Sequence, residues 1–395
     1  MTAAATREAS HETIGRGRNH NLDALRGVAV LLVVLGHAVL MSRPNPTIVT
    51  TDPEDVLTYV GASGVYLFFA LSGYVITKPF VDALLRGEPL PSVRAYATRR
   101  VFRIIPAYWL AFTFVIFDNP GPLPSGPVLL VHYLLMHNLW PGQEQAIYFS
   151  SWTLTLEALF YILVPVAAVA LRALRPRAID PQRFIVGLVL VGLLSALWKV
   201  GATQVSGTDG VWLGRVLPAQ LFLFVPGIVA AATTHPLRSA GFRRALVTGP
   251  SRGPVRMLPF TLAGVVLGAT CMNLLPLSVA HRDVIYATNE VWYAIGYGAL
   301  LLAAVHTEQW EHGLARFLAW FGVISYSLYL VHTALIRDLF RLAPHIPGGD
   351  SHYLVGAAMM LIASVPLARI MWAVVERPTQ QLGAKLGRRF TTTTR

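Results

Sequence analysis

The residues best placed to do chemistry in this chain are Arg26 and His37, both inside the first apolar segment, Asn21 to Met41, which reads NLDALRGVAVLLVVLGHAVLM. That segment is long enough to cross a bilayer, and ionisable groups within a span are costly enough to mark function before anything else does. The two stand eleven positions apart, about three helical turns, so they share roughly one face while standing about 16 Å apart along the axis. They cannot touch. They can serve one reaction at two depths: a guanidinium holds phosphate through a two-pronged fork, and a neutral imidazole takes a proton near neutral pH.

The elements that must position this pair are set by composition. A hydrophobic share of 54%, a charged share of 13% and a mean hydropathy of +0.53 describe an all-α polytopic membrane protein rather than a soluble enzyme. The net charge of +12 falls mainly in loops, where the positive-inside rule explains it and nucleic-acid binding is not implied. Residues 1–20 lack an apolar core and a cleavage site and read as a hydrophilic tail. The single cysteine, Cys271, excludes an intramolecular disulfide and a cysteine metal site, and no metal is expected.

Apolar segments near 21–41, 57–77, 102–117, 152–173, 184–203, 211–232, 257–277, 285–305, 316–337 and 353–375 are candidate spans. An eleventh stretch, 127–140, is short, and loop charge decides its status. If it is re-entrant or interfacial, the basic turns Arg172–Arg175–Arg177–Arg183 and Arg238–Arg243–Arg244–Arg252–Arg256 fall on one side with Lys78, Arg86, Arg94, Arg99 and Arg100. The pattern predicts about ten transmembrane helices with cytoplasmic N- and C-termini and a basic tail at 379–395. A multi-pass protein of the cell membrane follows, in bacteria the cytoplasmic or inner one. No internal repeat of the kind that betrays many transporters is visible.

Direction gives the polar residues depth. Arg26 is expected toward the cytoplasm and His37 near the outer end, with Glu157 close to the depth of His37 and able to pair with it. Glu290 and His332 also fall in the outer half, while Arg99, Arg100 and Arg103 open the third span near Arg26. Arginines inside and a histidine with carboxylates outside suit transfer of an acyl group from a cytoplasmic coenzyme A thioester to a hydroxyl. His37 is then the general base, Glu157 its orienting partner, and Arg26, Arg99, Arg100 and Arg103 the donor site. Trp152, Glu290 and His332 are candidate acceptor contacts.

Each residue also has a plainer reading. Arg26 can pair with Asp23 three residues earlier, the arginines of the third span can be positive-inside anchors, and Trp140, Trp152 and Trp212 suit an interfacial belt. His37 can be a satisfied buried histidine, and Glu157 an ion-paired bundle residue. No GxSxG, Walker A or HExxH sequence is present, and the HRD at 281–283 lacks every other kinase feature.

LDALRGVAVLLVVLGH, GVYLFFALSGYVIT, RRVFRIIPAYW, SWTLTLEALFYILVP, ISYSLYLVH and VERP, in that order from residue 21 to 378, resemble the motifs of the acyltransferase-3 family of integral membrane O-acyltransferases. The resemblance implies a roughly ten-helix membrane domain at 21–378, an acyl-CoA co-substrate such as acetyl-CoA, and no permanently bound cofactor. It implies an acceptor that is an envelope glycan or glycolipid or, alternatively, a glycosylated secondary metabolite such as a macrolide. The family's arginine and histidine fall on Arg26 and His37, its acidic residue on Glu157, and its basic motif on Arg99, Arg100 and Arg103. Two features depart from it. Tyr66 stands where many relatives carry a carboxylate, and only about twenty residues follow Glu376, where some relatives continue into an esterase-like domain. A proton-coupled transporter using the same ionisable residues, or a catalytically silent envelope scaffold, are the readings from other classes.

Overall fold

The computed structural model describes residues 19–41, 58, 60–118, 121–143, 147–148, 150–234, 261–262, 264–265, 279–342 and 352–391. Among them every regular element is helical: α1 (His20–Met41), α2 (Gly64–Arg86), α3 (Val93–Asp118), α4 (Gly126–Tyr133), α5 (Ser151–Leu174), α6 (Pro181–Ala202), α7 (Gly207–Leu213), α8 (Leu217–Gln220), α9 (Val225–Thr233), α10 (Val279–His306), α11 (Gly313–Val323), α12 (Ser325–Leu342), α13 (His352–Met371) and α14 (Arg377–Arg389). Among the described residues six helices are long and apolar enough to cross a membrane, or seven if α11 and α12, bent by 65° at their junction, are one span. The chain is a multi-pass helical membrane protein.

The expected spans meet this structure unevenly. Those at 21–41, 57–77, 102–117, 152–173 and 184–203 correspond to α1, α2, α3, α5 and α6. The expected span at 211–232 is instead broken into α7, α8, a 3-10 turn Leu221–Leu223 and α9. Pro218 and Pro226 each open a new short helix there, because proline supplies no N–H to the preceding turn. The stretch 127–140 does not form a crossing helix: α4 and a 3-10 turn His137–Leu139 flank Leu135, whose φ of 54 reverses the chain. α10 covers 285–305, but Asn289 and Glu290 dilute its apolar character. The segment expected at 257–277 lies almost wholly outside the described residues, as do Cys271 and the basic run Arg238–Arg256.

α1 is the central helix. Its Val30, Val33 and Val34 are fully buried in a core shared with Ile76 of α2, Phe112 of α3, Phe160 of α5 and Leu328 of α12. Lipid tails are as apolar as leucine, so helices gain little from apolar burial alone and must associate by close backbone approach. Two glycine pairs provide that approach. A Cβ on Gly27 would collide with the Leu318 carbonyl and one on Gly322 with the Asp23 carbonyl, which seats α11 directly on α1. Gly73 and Gly227 do the same for α2 and α9, meeting the carbonyls of Phe224 and Ala70. By contrast α6 is apolar on all sides and buries only Ser195 and Ala202, as a helix facing lipid does.

The helical path does not end with α13. It runs through a π-turn, Trp372–Glu376, into α14, which lies along α3 with Gly383 against Phe102 and Gly387 under Arg99. The start of the basic tail is therefore a packed helix. The π-turn shifts the register of the helix, and Glu376 turns inward to 2% exposure.

Candidate active site

The arginines meet on one pocket. Arg26 of α1, Ser72 of α2, Arg100 and Arg103 of α3, Thr153, Glu157 and Tyr161 of α5, and Ser325, Tyr326 and Tyr329 of α12 all line it. Arg100 and Arg103 face it together because a spacing of three keeps them on one side of α3. Three guanidiniums against one lining carboxylate make the pocket cationic. Arg26 keeps its local bond as well, donating from Nη1 to Asp23 Oδ1 at 2.9 Å, and still lines the cavity.

Glu157 is the carboxylate among these arginines. Ser72 donates its hydroxyl to Oε1 at 2.9 Å and Tyr161 donates to the same oxygen at 2.6 Å. The guanidinium of Arg100 lies between two tyrosines, 5.5 Å from the ring centre of Tyr96 and 5.2 Å from that of Tyr161, an arrangement that holds a cation over aromatic faces. Tyr326 is fixed by donating to the Ile104 carbonyl at 2.9 Å.

His37 is elsewhere. Its Nδ1 is 3.1 Å from Nε2 of His332, and Nδ1 of His332 is 3.0 Å from the Leu328 carbonyl. The expected pairing of His37 with Glu157 is thus replaced by a pair of histidines, and Glu157 lies with the arginines. The reason is the start of α5. Its first turns are buried against His137, with Ser151 and Thr155 wholly inaccessible and hydrogen-bonded to its ring at 3.0 and 3.1 Å. The helix begins well inside the protein rather than at its surface, so Glu157 sits deeper than a count from the helix end implies.

The two stations are nevertheless connected. Ser325 and Tyr329 of α12 line the arginine pocket, and His332 lies one turn beyond Tyr329 on the same face. The rings of Tyr329 and His332 meet edge to face at 5.6 Å. α12 therefore runs beside α1 in the same direction, from the level of Arg26 to the level of His37.

The remaining expected site residues are not drawn into this arrangement. Arg99 is exposed and rests over Gly387 of α14. Glu290 pairs with Lys199 at 3.1 Å and takes a long bond from Gln220 at 3.5 Å. Trp152 lies under Arg215, with 5.5 Å between the guanidinium and the ring centre. Residues not singled out in advance contribute instead: Ser72, Tyr161, Tyr326 and Tyr329 line the pocket, and Glu376 accepts from Ser327 at 2.6 Å and Gln380 at 2.8 Å. Glu376 was marked only by its VERP motif, and Ser72 by its place in ALSGY.

The chain is thus a multi-pass helical membrane protein with an internal pocket lined by three arginines and a histidine pair farther along the same central helix. Comparison with known proteins narrows the class. The family model described as Acyltransferase domain, of the acyltransferase-3 type, matches residues 19–371, and the chain belongs to this family. It is 26% identical over 386 residues to O-acetyltransferase OatA of Staphylococcus aureus, covering 92% of this chain and 57% of that protein. It is 23% identical over 384 residues to Peptidoglycan O-acetyltransferase OatA of Listeria monocytogenes, covering 92% and 56%. It is also 23% identical over 393 residues to Nodulation protein 10 of Rhizobium leguminosarum, covering 94% and 95%. The chain thus spans little more than half the length of the OatA proteins it matches. No solved structure matches it significantly.

Proposed function

We propose that this protein is a membrane O-acyltransferase that moves a small acyl group such as acetyl from acyl-CoA to a hydroxyl of a sugar-containing acceptor of the cell envelope. The observation that carries this reading is the layout of two stations on α1, with Arg26, Arg100 and Arg103 around one pocket and His37 three turns away. Arginine forks suit the phosphates of a coenzyme A thioester, and the separation suits an extended pantetheine arm that delivers its thioester toward His37. His37 acts as the general base on the acceptor hydroxyl. Glu157 works on the donor side, where it counterbalances the guanidiniums. The printed name of the Listeria relative favours an envelope glycan as acceptor.

In this reading the protein crosses the bilayer about ten times with both termini in the cytoplasm. The arginine pocket then faces the compartment that holds acyl-CoA. Purified protein in lipid should release coenzyme A and acylate a glycan acceptor when given acetyl-CoA. Transport of the acceptor with the thioester intact would replace an enzyme with a transporter. Orientation has its own test in a Cys271→Ser background, where Gly142→Cys should react with an impermeant reagent from outside. Reaction from the cytoplasmic side alone would overturn the assigned topology.

A further inference from the structure

The contact between the two histidines has a direction. The Leu328 carbonyl can only accept, and Nδ1 of His332 lies 3.0 Å from it, so Nδ1 carries the ring proton of His332. In a neutral ring the other nitrogen, Nε2, then holds a lone pair. Nδ1 of His37 is 3.1 Å from that lone pair, and the proton between them must come from His37. The lone pair of a neutral His37 is consequently on Nε2. An isolated imidazole favours the opposite tautomer; the His332 contact opposes that preference, beside a backbone hydrogen bond of His37 to Val33 one turn earlier.

The imposed orientation is held firmly. His332 is wholly inaccessible, and the Tyr329 ring packs against it edge to face. Tyr329 is itself pinned by donating its hydroxyl to the Ser150 carbonyl at 3.0 Å. Each step from the backbone outward therefore fixes the next: Ser150 holds Tyr329, while the Leu328 carbonyl orients His332, and His332 orients His37.

We propose that His332 is a positioning residue, which accepts the Nδ1 proton of His37 and so presents Nε2 of His37 as the base. This rests on the proposed role of His37. A carboxylate does the same service in a serine-hydrolase triad. Here a neutral ring takes its place, which avoids burying an unpaired anion in the membrane. In the reaction, the hydroxyl proton of the acceptor passes to Nε2 of His37 as the oxygen attacks the thioester carbonyl. The carbon–sulfur bond then breaks, and the leaving thiolate takes that proton from Nε2. Ester and free thiol result, and His37 is neutral again with its tautomer unchanged.

Two measurements separate this proposal from the reading beneath it. The first is the 15N spectrum of selectively labelled His37 in the folded protein at neutral pH, with no substrate present. Wild type should show Nδ1 protonated and Nε2 bearing the lone pair; an Nε2-protonated His37 would overturn the proposal even if His37 is essential. The second is kinetic. His332→Leu should lower kcat by roughly 100-fold, within the range a misdirected general base costs, with KM for acetyl-CoA unchanged and the share of Nδ1-protonated His37 reduced. His332→Gln, whose amide can accept from His37 and donate to Leu328, should recover most of the rate. Unchanged kcat in His332→Leu, or no recovery in His332→Gln despite a native tautomer, would remove the positioning role. If His37→Ala keeps full activity, the base reading fails, and the tautomer result still stands or falls by itself.

Discussion

The arginine pocket and the histidine pair differ in how the fold builds them. Five elements, α1, α2, α3, α5 and α12, supply its lining, which carries three cations and one carboxylate. The histidine pair comes from only two helices and is held by a few hydrogen bonds, from one ring to the other and from each ring to backbone of its own helix. A site that must hold a large anion can average over many contacts, since each fork contributes separately. A site that must present one lone pair depends on a single orientation. The expected consequence is graded loss at the pocket and near-complete loss at the histidine.

The largest effect should come from His37→Ala, with turnover falling by about 100- to 10,000-fold while acyl-CoA binding stays within twofold of wild type by roughly 0.5 kcal/mol or less. Arg103→Ala should do the reverse in kind and less in degree. Losing one charge-assisted contact worth about 1.5–3 kcal/mol should raise the donor Kd by about 10- to 100-fold, and saturating donor should restore much of the rate. Glu157→Gln sharpens the contrast further. It keeps an oxygen for Ser72 and Tyr161 and removes only charge, so donor affinity should hold or improve and the His37 tautomer should not move. A lost His37 tautomer in that variant would return Glu157 to the histidine. The smallest effect is expected from Arg99→Ala, with donor affinity within about twofold of wild type, because Arg99 covers Gly387 rather than the pocket.

These residues also show how far the sequence could be read. Arg26, Arg100, Arg103 and Glu157 were recognisable because ionisable groups within or opening apolar helices are costly, even though each had a plainer reading, and the spacing of Arg100 and Arg103 puts them on one face. Arg99 was grouped with them by proximity in the chain, although one residue along a helix turns the side chain by about 100°. The partners of Glu157 differ from the expected one because the burial of the first turns of α5 depends on His137 packing against Ser151 and Thr155, an event between separate segments that no local pattern encodes. The bond between His37 and His332 spans 295 residues, and nothing in either segment alone announces it. Hydropathy located most spans but not the break at 211–232, where Pro218 and Pro226 outweigh an apolar composition.

The most direct test of the division between the two stations is to measure acetyl-CoA Kd and single-turnover acyl transfer on His37→Ala and Arg103→Ala side by side in lipid nanodiscs. His37→Ala should bind donor like wild type and fail to transfer, whereas Arg103→Ala should bind weakly and transfer once saturated. The same pattern in both variants, whether joint loss of binding or joint loss of transfer with binding intact, would contradict two separate stations.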